Sequence, residues 1–373
     1  MKIVIALDSF KDSLTAAAAC QAVAAGLCDV DSSITTVCKP MADGGEGTAA
    51  ALLAARSDGE WIPVRAQGPL PSQHVEAGFA WFPADHTALV EMAAASGLPL
   101  LTENERNPLR TNSYGTGELI RAAVERGARR ILLAIGGSAT VDGGTGSAAA
   151  LGWRFLDANG RELAPGGETL DKIARIVPPE QTSLPQVIVL CDVTNPLCGP
   201  RGAAAVFGPQ KGATPEMVAQ LDAGLHNLAV RIRTDLGKDV LNLPGGGAAG
   251  GMGAGAVAFF KAELTPGITA VIEVVGLREA LRGADWCVTG EGSFDLQSFD
   301  GKVVSGVAEA ARTDGVPVVV FAGRAEIDRE VFAPHGIREV RTLQPPNISR
   351  EASMQRAAEL LRETARTWGL DRL

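Results

Sequence analysis

Two stretches, one near each end of the chain, place carboxylates, hydroxyls and lysines directly after an apolar run. Residues 3–11 read IVIALDSFK and residues 286–302 read WCVTGEGSFDLQSFDGK. Each apolar run is typical of a buried parallel strand, and the turn after such a strand is where an open parallel sheet builds a site. We therefore expect both turns to lie at one sheet edge. The side chains and backbone groups concerned are Asp8, Ser9, Lys11, Gly290, Glu291, Asp295 and Lys302.

Carboxylates and lysines recur on three further loops. Asp43 lies in ADGGEGT (residues 42–48), Asp192 in CDVTNPLCGPRGA (191–203) and Lys211 in FGPQKG (207–212). Phosphoryl transfer needs carboxylates to hold Mg²⁺ and orient the attacking hydroxyl, and cations against the transferred group. Any single aspartate could instead be a helix N-cap or an Asx turn, and any single lysine a surface residue. The recurrence of both residue types on the same loops favours a phosphate site.

Four glycine-rich loops precede predicted helices, at residues 44–47, 115–117, 136–146 and 245–255. Such loops can direct backbone N–H groups at an anion, although each alone can also be a tight turn. No G-x-x-x-x-G-K-[ST] occurs, and the spacing at 136–138 does not fit G-x-G-x-x-G, so neither a P-loop nor a nicotinamide enzyme is predicted. The expected phosphate contacts on these and the neighbouring loops are Gly44, Gly45, Glu46, Gly136, Gly137, Ser138 and Asn195.

The strand pattern predicts an α/β protein with two α/β domains. Five apolar runs, at residues 3–7, 34–41, 285–290, 316–322 and 337–343, suit a flavodoxin-like, doubly wound parallel sheet of order 2-1-3-4-5. We expect this discontinuous domain to comprise residues 1–62 and 283–373, with an inserted α/β domain at 63–282. We also expect the first helix to end before Gly26, and one last helix to span residues 349–368.

Composition limits the classes of function. A chain of 373 residues exceeds the usual size of a single core, so two domains are expected. The net charge of −9 disfavours nucleic-acid binding. The six cysteines form no C-x-x-C, which argues against zinc or a disulfide framework. The apolar run at 3–7 is too short for a signal peptide, and no run approaches the roughly 18 residues of a membrane span, so a cytoplasmic protein is expected.

The loops together resemble the bacterial glycerate kinase family, of the type that phosphorylates D-glycerate at O2. The matching blocks are DSFK (8–11), ADGGEGT (42–48), GTGELI (115–120), GGSATVDGG (136–144), CDVTNPLCGPRGA (191–203), FGPQKGA (207–213), PGGGAAGGMG (244–253) and TGEGSFDLQSFDGK (289–302). The resemblance implies an ATP- and Mg²⁺-dependent kinase that gives 2-phospho-D-glycerate and ADP. It implies small-molecule partners only, and we expect a monomer or homodimer.

The resemblance also implies residue roles in a cleft between the two domains. Carried over by position, the cleft residues are Asp8, Lys11, Asp43, Asp192, Lys211, Glu291, Asp295 and Lys302. Asp192 is the first choice for the group that accepts the substrate proton and Asp295 the second, with Lys11 and Asp8 also catalytic. Asp43 and Asp192 are the expected Mg²⁺ ligands.

Three positions depart from the family pattern. Leu7 stands where the family usually has Pro, Val141 where it has Asn, and Ser293 where it has Arg; Arg324 is a candidate replacement for that guanidinium. A kinase for another small hydroxy acid and a non-catalytic sensor of phosphorylated metabolites therefore stay open as alternatives. A hydrolase is disfavoured because no G-x-S-x-G occurs.

Overall fold

A computed structural model of the chain describes residues 1–45, 47–180, 184–299, 301–343 and 348–372. The chain divides into two compact units. Unit 1 comprises Met1–Asp43, Ala50–Ser57 and Pro266–Leu373, and unit 2 comprises Gly44–Ala49 and Asp58–Thr265. The second long segment of unit 1 thus begins at Pro266, before the boundary at residue 283 that the sequence predicted.

The elements alternate between strands and helices along most of the chain. The strands are β1 (Lys2–Leu7), β2 (Thr35–Cys38), β3 (Glu60–Gln67), β4 (His74–Phe82), β5 (Thr87–Glu91), β6 (Arg130–Ala134), β7 (Arg154–Leu156), β8 (Arg175–Val177), β9 (Gln186–Leu190), β10 (Glu263–Thr265), β11 (Trp286–Phe294), β12 (Val318–Ala325) and β13 (Ile337–Thr342). The helices are α1 (Ala16–Cys28), α2 (Thr48–Ala55), α3 (Ala93–Ser96), α4 (Tyr114–Glu125), α5 (Thr145–Ala150), α6 (Ala203–Phe207), α7 (Pro215–Leu236), α8 (Ala248–Phe260), α9 (Gly267–Val275), α10 (Leu277–Leu281), α11 (Val303–Thr313), α12 (Arg329–Phe332), α13 (Arg350–Gln355) and α14 (Ala357–Leu370).

Unit 1 contains a five-stranded, all-parallel sheet in the order β2-β1-β11-β12-β13. This is the flavodoxin-like order 2-1-3-4-5, so the predicted fold class is confirmed. Five of the six residues of β1 are buried, because helices cover both faces of a parallel sheet and each strand needs apolar side chains on both sides. Strand order reverses between β1 and β11, and sites in open α/β sheets form at that point.

Helix α1 ends later than predicted. The hydroxyl of Thr15 accepts a hydrogen bond from the N–H of Ala18, and the helix continues through Gly26 to Cys28. Gly26 is therefore not a helix stop. A Cβ at this position would lie 2.1 Å from the carbonyl oxygen of Arg362 in α14, so glycine is required by the close approach of the two helices.

The end of the chain forms two helices rather than the single helix expected. Helix α13 ends at Gln355, Arg356 leaves helical geometry with φ −105° and ψ 15°, and α14 starts at Ala357. Trp368 of α14 is fully buried and packs edge-on against Trp286, with ring centroids 5.3 Å apart. The last helix is thus part of the core of unit 1.

Unit 2 contains a mixed six-stranded sheet in the order β10-β9-β6-β5-β4-β3. Strands β10, β9, β6 and β5 run parallel to one another, whereas β4 runs antiparallel to both of its neighbours, β5 and β3. The parallel half carries long polar loops at its carboxyl edge, after β6 and β9. Among the described residues, no helix is both long enough and apolar enough to cross a membrane.

Candidate active site

Three carboxylates of unit 1 lie on or just after neighbouring strands at the reversal of strand order: Glu291 within β11, Asp8 after β1 and Asp43 beyond β2. Leu7 of β1 pairs with Gly290 of β11, and the N–H of Asp8 donates to the carbonyl oxygen of Gly290 at 3.0 Å. Asp8 and Glu291 therefore come next along two adjacent strands. Asp43 follows the extension of β2, in which the N–H of Met41 donates to the carbonyl oxygen of Leu7 at 2.9 Å. Asp8 and Glu291 thus lie at the same edge of the sheet, as the sequence predicted.

Asp8 is held in an environment that disfavours its charge. Burial raises its pKa to about 7, and the negative charges of Asp43 and Glu291 add to the effect. A hydrogen bond from the N–H of Ser9 to Oδ1 of Asp8, 2.6 Å long, acts in the opposite direction. Neighbouring carboxylates that raise the pKa of a buried acid in this way are a common feature of functional sites, because a bound cation relieves the repulsion.

Glu291 is the second perturbed carboxylate. Burial raises its pKa, with Asp295 and Asp43 as smaller causes, while Ser298 and Lys302 favour the charged form. Within the described residues, the buried Oε1 atom of Glu291 accepts no hydrogen bond. A buried carboxylate oxygen without a donor is costly in a folded protein, so a ligand atom or ion is the natural partner.

The cations and the remaining carboxylate of unit 1 lie close by in the chain. Lys11 is exposed, and a Cβ built at Gly292 would stand 3.7 Å from its backbone nitrogen. Lys302 is half-buried and immediately precedes α11. Asp295 has a local structural bond, since its Oδ1 accepts the N–H of Gln297 at 2.9 Å in a short 3₁₀ turn. Asp295 thus combines a turn-capping role with a position beside Glu291.

In unit 2, the loop after β6 is built around a buried carboxylate of its own. Asp142 is fully buried, and its Oδ2 accepts the N–H and the hydroxyl of Ser113, both at 2.8 Å, and the N–H of Gly146 at 3.1 Å. Its Oδ1 accepts the N–H of Gly144 at 3.1 Å. These donors stand at the starts of α4 and α5, where helix geometry leaves N–H groups without partners. The Asp142 side chain therefore occupies the anion position that these two helix starts create.

Lys211 is tied to the same loop. Its side chain is 2% exposed, and Nζ donates to Oγ of Ser138 and to the carbonyl oxygen of Thr140, both at 2.7 Å. Burial lowers the pKa of Lys211 to about 7, and the charge of Asp142 partly opposes this shift. The structure thus places this ammonium group inside unit 2, where it holds the backbone of residues 138–140.

The loop after β9 carries the two other residues predicted in unit 2. Asp192 has an exposed side chain one residue beyond Cys191, whose N–H donates to the carbonyl oxygen of Thr265. Asn195 is half-buried, and its Nδ2 donates to the carbonyl oxygen of Arg201 at 2.8 Å, which closes the loop.

Two of the four glycine-rich loops serve close packing. A Cβ at Gly250 would lie 1.9 Å from the carbonyl oxygen of Thr140, and a Cβ at Gly115 would lie 1.9 Å from the carbonyl oxygen of Gln67. The loop 245–255 also passes through left-handed backbone at Ala249, Gly250 and Gly251 before α8 continues. These glycines let two backbones meet, which is a sufficient reason for their residue type.

The other two glycine loops expose only part of their backbone, at Gly47 and Gly137, whereas Gly44 and residues 138–146 are buried. Gly137 is exposed with φ 69°, next to the half-buried Gly136. Gly44 has φ 91° and is followed by Gly45, while Glu46 lies outside the described residues. At the start of α2, the N–H of Ala49 donates to Oε1 of Glu91 at 3.0 Å.

The donor set suits Mg²⁺ bound by few protein ligands. No group of three or more His, Cys, Asp or Glu side chains in the described ranges is arranged to enclose a metal ion. Mg²⁺ usually keeps several waters and binds one or two carboxylates plus substrate phosphates, so a complete protein cage is not required. The orphaned Oε1 of Glu291, beside Asp8 and Asp43, is the observation that favours a cation in unit 1.

The three departures from the family pattern have different surroundings. Leu7 and Val141 are fully buried and pack in the cores of their units. Ser293 pairs in register with Arg324 on the adjacent strand β12. Arg324 itself is exposed, with NH1 3.2 Å from Oε1 of Glu326.

Sequence reasoning missed two groups in unit 2. Asp142 lies in the glycine-rich block 136–144, but the serine and glycines that donate to it are distant in sequence or shared with many turns. Arg106 precedes the GTGE helix in a segment without a strand or glycine signal, and its buried Nε has no hydrogen-bond partner among the described residues. Neither feature could be read without three-dimensional contacts.

Comparisons with known proteins agree on one family. The model of the glycerate kinase family matches residues 3–369. The chain is similar to a glycerate kinase of Halalkalibacterium halodurans, with 44% identity over 98% of this chain and 96% of that protein. It is 45% identical to the glycerate 2-kinase of Escherichia coli K12, over 91% of this chain and 90% of that protein. A crystal structure of a Salmonella typhimurium LT2 protein, provisionally named glycerate kinase 2, superposes with a TM-score of 0.90 at 43% identity and covers 100% of this chain and 98% of that one.

Proposed function

Because the chain belongs to the glycerate kinase family, we propose that it transfers the γ-phosphate of ATP to O2 of D-glycerate, giving 2-phospho-D-glycerate and ADP. The name of the Escherichia coli relative supports the 2-position. The observation that carries the proposal is the group of carboxylates at the strand reversal of unit 1, where the charges of Asp43 and Glu291 add to the burial that raises the pKa of Asp8, and Asp43 adds to the burial that raises the pKa of Glu291. Such a group suits a site in which Mg²⁺ and phosphates meet.

The proposed roles follow from charge and exposure. Asp192, exposed after β9, orients the O2 hydroxyl and takes its proton as the new P–O bond forms and the bond to ADP breaks. Asp295 is the second choice, because its Oδ1 already caps a turn. Lys11 and Lys302 provide positive charge for the phosphates of ATP.

The remaining predicted residues supply backbone and metal contacts in this proposal. Asp43 is the proposed carboxylate ligand of Mg²⁺ in unit 1, and the bound ion would neutralise charge on the transferred group. Gly136, Gly137 and Ser138 are the proposed phosphate contacts at the start of the loop after β6, where Gly137 is exposed. Lys211 acts on that loop through its bonds to Ser138 and Thr140.

A panel of acceptors tests the proposal. Purified protein is assayed for ADP release with ATP and Mg²⁺ against D-glycerate, L-glycerate, tartronate and glycolate. We expect ADP release that requires both Mg²⁺ and D-glycerate. Release with a different acid would instead indicate a kinase of altered specificity, to which Ser293 points, and nucleotide binding without turnover would indicate a sensor.

A further inference from the structure

Arg106 has a guanidinium group that the described part of the chain leaves without a partner. The residue is half-buried, its Nε is out of contact with solvent, and the group makes no hydrogen bond or ion pair with a described residue. A buried N–H without an acceptor destabilises the folded protein, and more so when the group is charged. An atom of a bound ligand is a natural acceptor for the buried N–H of Arg106.

The position of Arg106 is fixed from two sides. Before it, Thr102 and Glu105 form a capping box, in which the N–H and the hydroxyl of Thr102 donate to Oε2 of Glu105 at 2.9 and 2.7 Å. On the other side, Gly212 packs against Arg106. A Cβ at Gly212 would lie 2.3 Å from the carbonyl oxygen of Arg106 and 3.0 Å from the Cβ of Arg106. The backbone of Arg106 is therefore clamped against the turn that carries Lys211.

This clamp joins three loops at the carboxyl end of β6. The hydroxyl of Thr111 donates to the carbonyl oxygen of Ala139 at 2.9 Å, which ties residues 106–111 to the loop after β6. Lys211 ties the turn 208–212 to Ser138 of the same loop. Arg106 thus belongs to the loop cluster that holds the proposed contacts Gly137 and Ser138.

The buried carboxylate of the loop after β6, Asp142, is not available as the counter-ion. Asp142 already accepts four hydrogen bonds, from Ser113, Gly144 and Gly146. The chain carries a net charge of −9, so it has an excess of carboxylates over cationic side chains. A shortage of carboxylates therefore does not explain why Arg106 has no partner. The planar fork of a guanidinium matches a carboxylate or phosphate through two parallel hydrogen bonds.

We propose that Arg106 binds an oxyanion of the substrates: the carboxylate of the hydroxy acid, or a phosphate of the nucleotide. The inference rests on the proposed function, because both anions are reactants of that transfer. It makes Arg106 a specificity-determining residue of the site.

The test compares two substitutions at Arg106 with a matched control. Arg106→Gln removes the charge, and Arg106→Lys keeps the charge but loses the fork. Arg231→Gln is the control, because Nε of Arg231 is also buried without a partner but lies on α7, away from the clamped loops. KM for D-glycerate, KM for ATP, kcat and the melting temperature are measured for each variant.

If Arg106 makes a charge-assisted hydrogen bond to a substrate, we expect Arg106→Gln to raise the KM for that substrate by about 10- to 100-fold. Arg106→Lys should raise this KM less, and Arg231→Gln should leave it unchanged. A rise in KM for D-glycerate assigns the carboxylate, and a rise in KM for ATP assigns the phosphate. Unchanged KM values for both substrates, or equal changes in the Arg231 control, overturn the inference while leaving the proposed function intact.

Calorimetric titration separates this result from failure of the proposed function. D-glycerate and ATP are titrated separately into the wild type and Arg106→Gln, with no turnover needed. Weaker binding of one ligand to the variant supports the inference even if the acceptor of phosphate proves to be another acid. Equal binding to both proteins, or no binding of either ligand to the wild type, overturns it.

Discussion

Two buried aspartates, Asp8 and Asp142, show how contacts distinguish a reactive carboxylate from a structural one. Asp142 accepts four hydrogen bonds from serine and glycine groups, so its charge is satisfied inside the protein. Asp8 accepts one from Ser9 and faces the charges of Asp43 and Glu291. Hydrogen bonds stabilise a charged carboxylate and neighbouring like charges destabilise it. Asp142 is therefore a structural residue, and Asp8 is a candidate for ligand binding.

The Asp8→Asn substitution should stabilise the protein in a pH-dependent way. The pKa of Asp8 is raised from 3.8 to about 7 on folding, so the folded state holds a proton that the unfolded state releases between these values. Wild-type stability therefore falls, relative to Asp8→Asn, as pH rises from about 4 to 7, by up to about 4 kcal/mol. Urea denaturation at several pH values, without Mg²⁺ or nucleotide, measures this. Asp314→Asn, at an exposed position after α11, serves as the control, and a pH-independent difference for Asp8→Asn would contradict the account.

The Asp192→Asn substitution tests the proton acceptor. An amide cannot take the proton from the attacking hydroxyl, so we expect kcat to fall by about 10²–10⁴-fold with little change in melting temperature, since the side chain is exposed. Asp171→Asn, an exposed aspartate of the same unit, should leave kcat unchanged. Near-normal turnover of Asp192→Asn would move the role to Asp295.

The sheet edge at which the candidate residues lie was predictable from the sequence, but the contacts of their side chains were not. Asp8 and Glu291 follow apolar strands, so their shared sheet edge could be inferred before any contact was known. Lys211 appeared equivalent to Lys11 and Lys302, yet its Nζ is buried against Ser138 and Thr140. The difference depends on how the turn 208–212 packs, which no local pattern encodes.

At the scale of elements, the sheet of unit 1 was predicted correctly because its strands carry continuous apolar runs and parallel crossovers allow few orders. The ends of helices were less predictable. Gly26 has the residue type of a helix stop, but its function depends on α14, more than three hundred residues away in sequence. The break at Arg356 likewise has no glycine or proline to mark it.

The Gly26→Ala substitution tests the contact of α1 with α14. Helix propensity alone predicts stabilisation by about 1 kcal/mol. The structure predicts a loss of about 1–3 kcal/mol, because the new Cβ would meet the carbonyl oxygen of Arg362 at 2.1 Å. Chemical denaturation measures the free energy of unfolding, with Gln21→Ala on the exposed side of α1 as control. A stabilised Gly26→Ala protein would show that the two helices do not approach so closely.

At the scale of the whole molecule, the two units differ in how the chain builds them. The sheet of unit 2 draws all its strands from residues 60–265, whereas in unit 1 the strand β1 pairs with β11, from the far end of the chain. Unit 1 therefore requires contacts of very long sequence separation. A pattern of strands at both ends indicated this arrangement, but the assignment of α9 and α10 to unit 1 required the contacts themselves.

Fragments test this division. A fragment of residues 58–265 should fold, because it contains every strand of the mixed sheet and the larger apolar core. A fragment of residues 1–57 should be unfolded, because β1 lacks β11 as its neighbour. Circular dichroism and amide-proton dispersion by NMR distinguish these outcomes. A folded 1–57 fragment, or an unfolded 58–265 fragment, would contradict the division.

The position of the phosphate on the product tests the central claim most directly. The protein is incubated with ATP, Mg²⁺ and D-glycerate, and the product is passed to enolase without phosphoglycerate mutase. We predict immediate formation of phosphoenolpyruvate, since enolase accepts the 2-phosphate, at the same rate as ADP release. A product that reaches enolase only after mutase is added would place the phosphate on O3, and absence of any phosphorylated glycerate would contradict the proposed reaction.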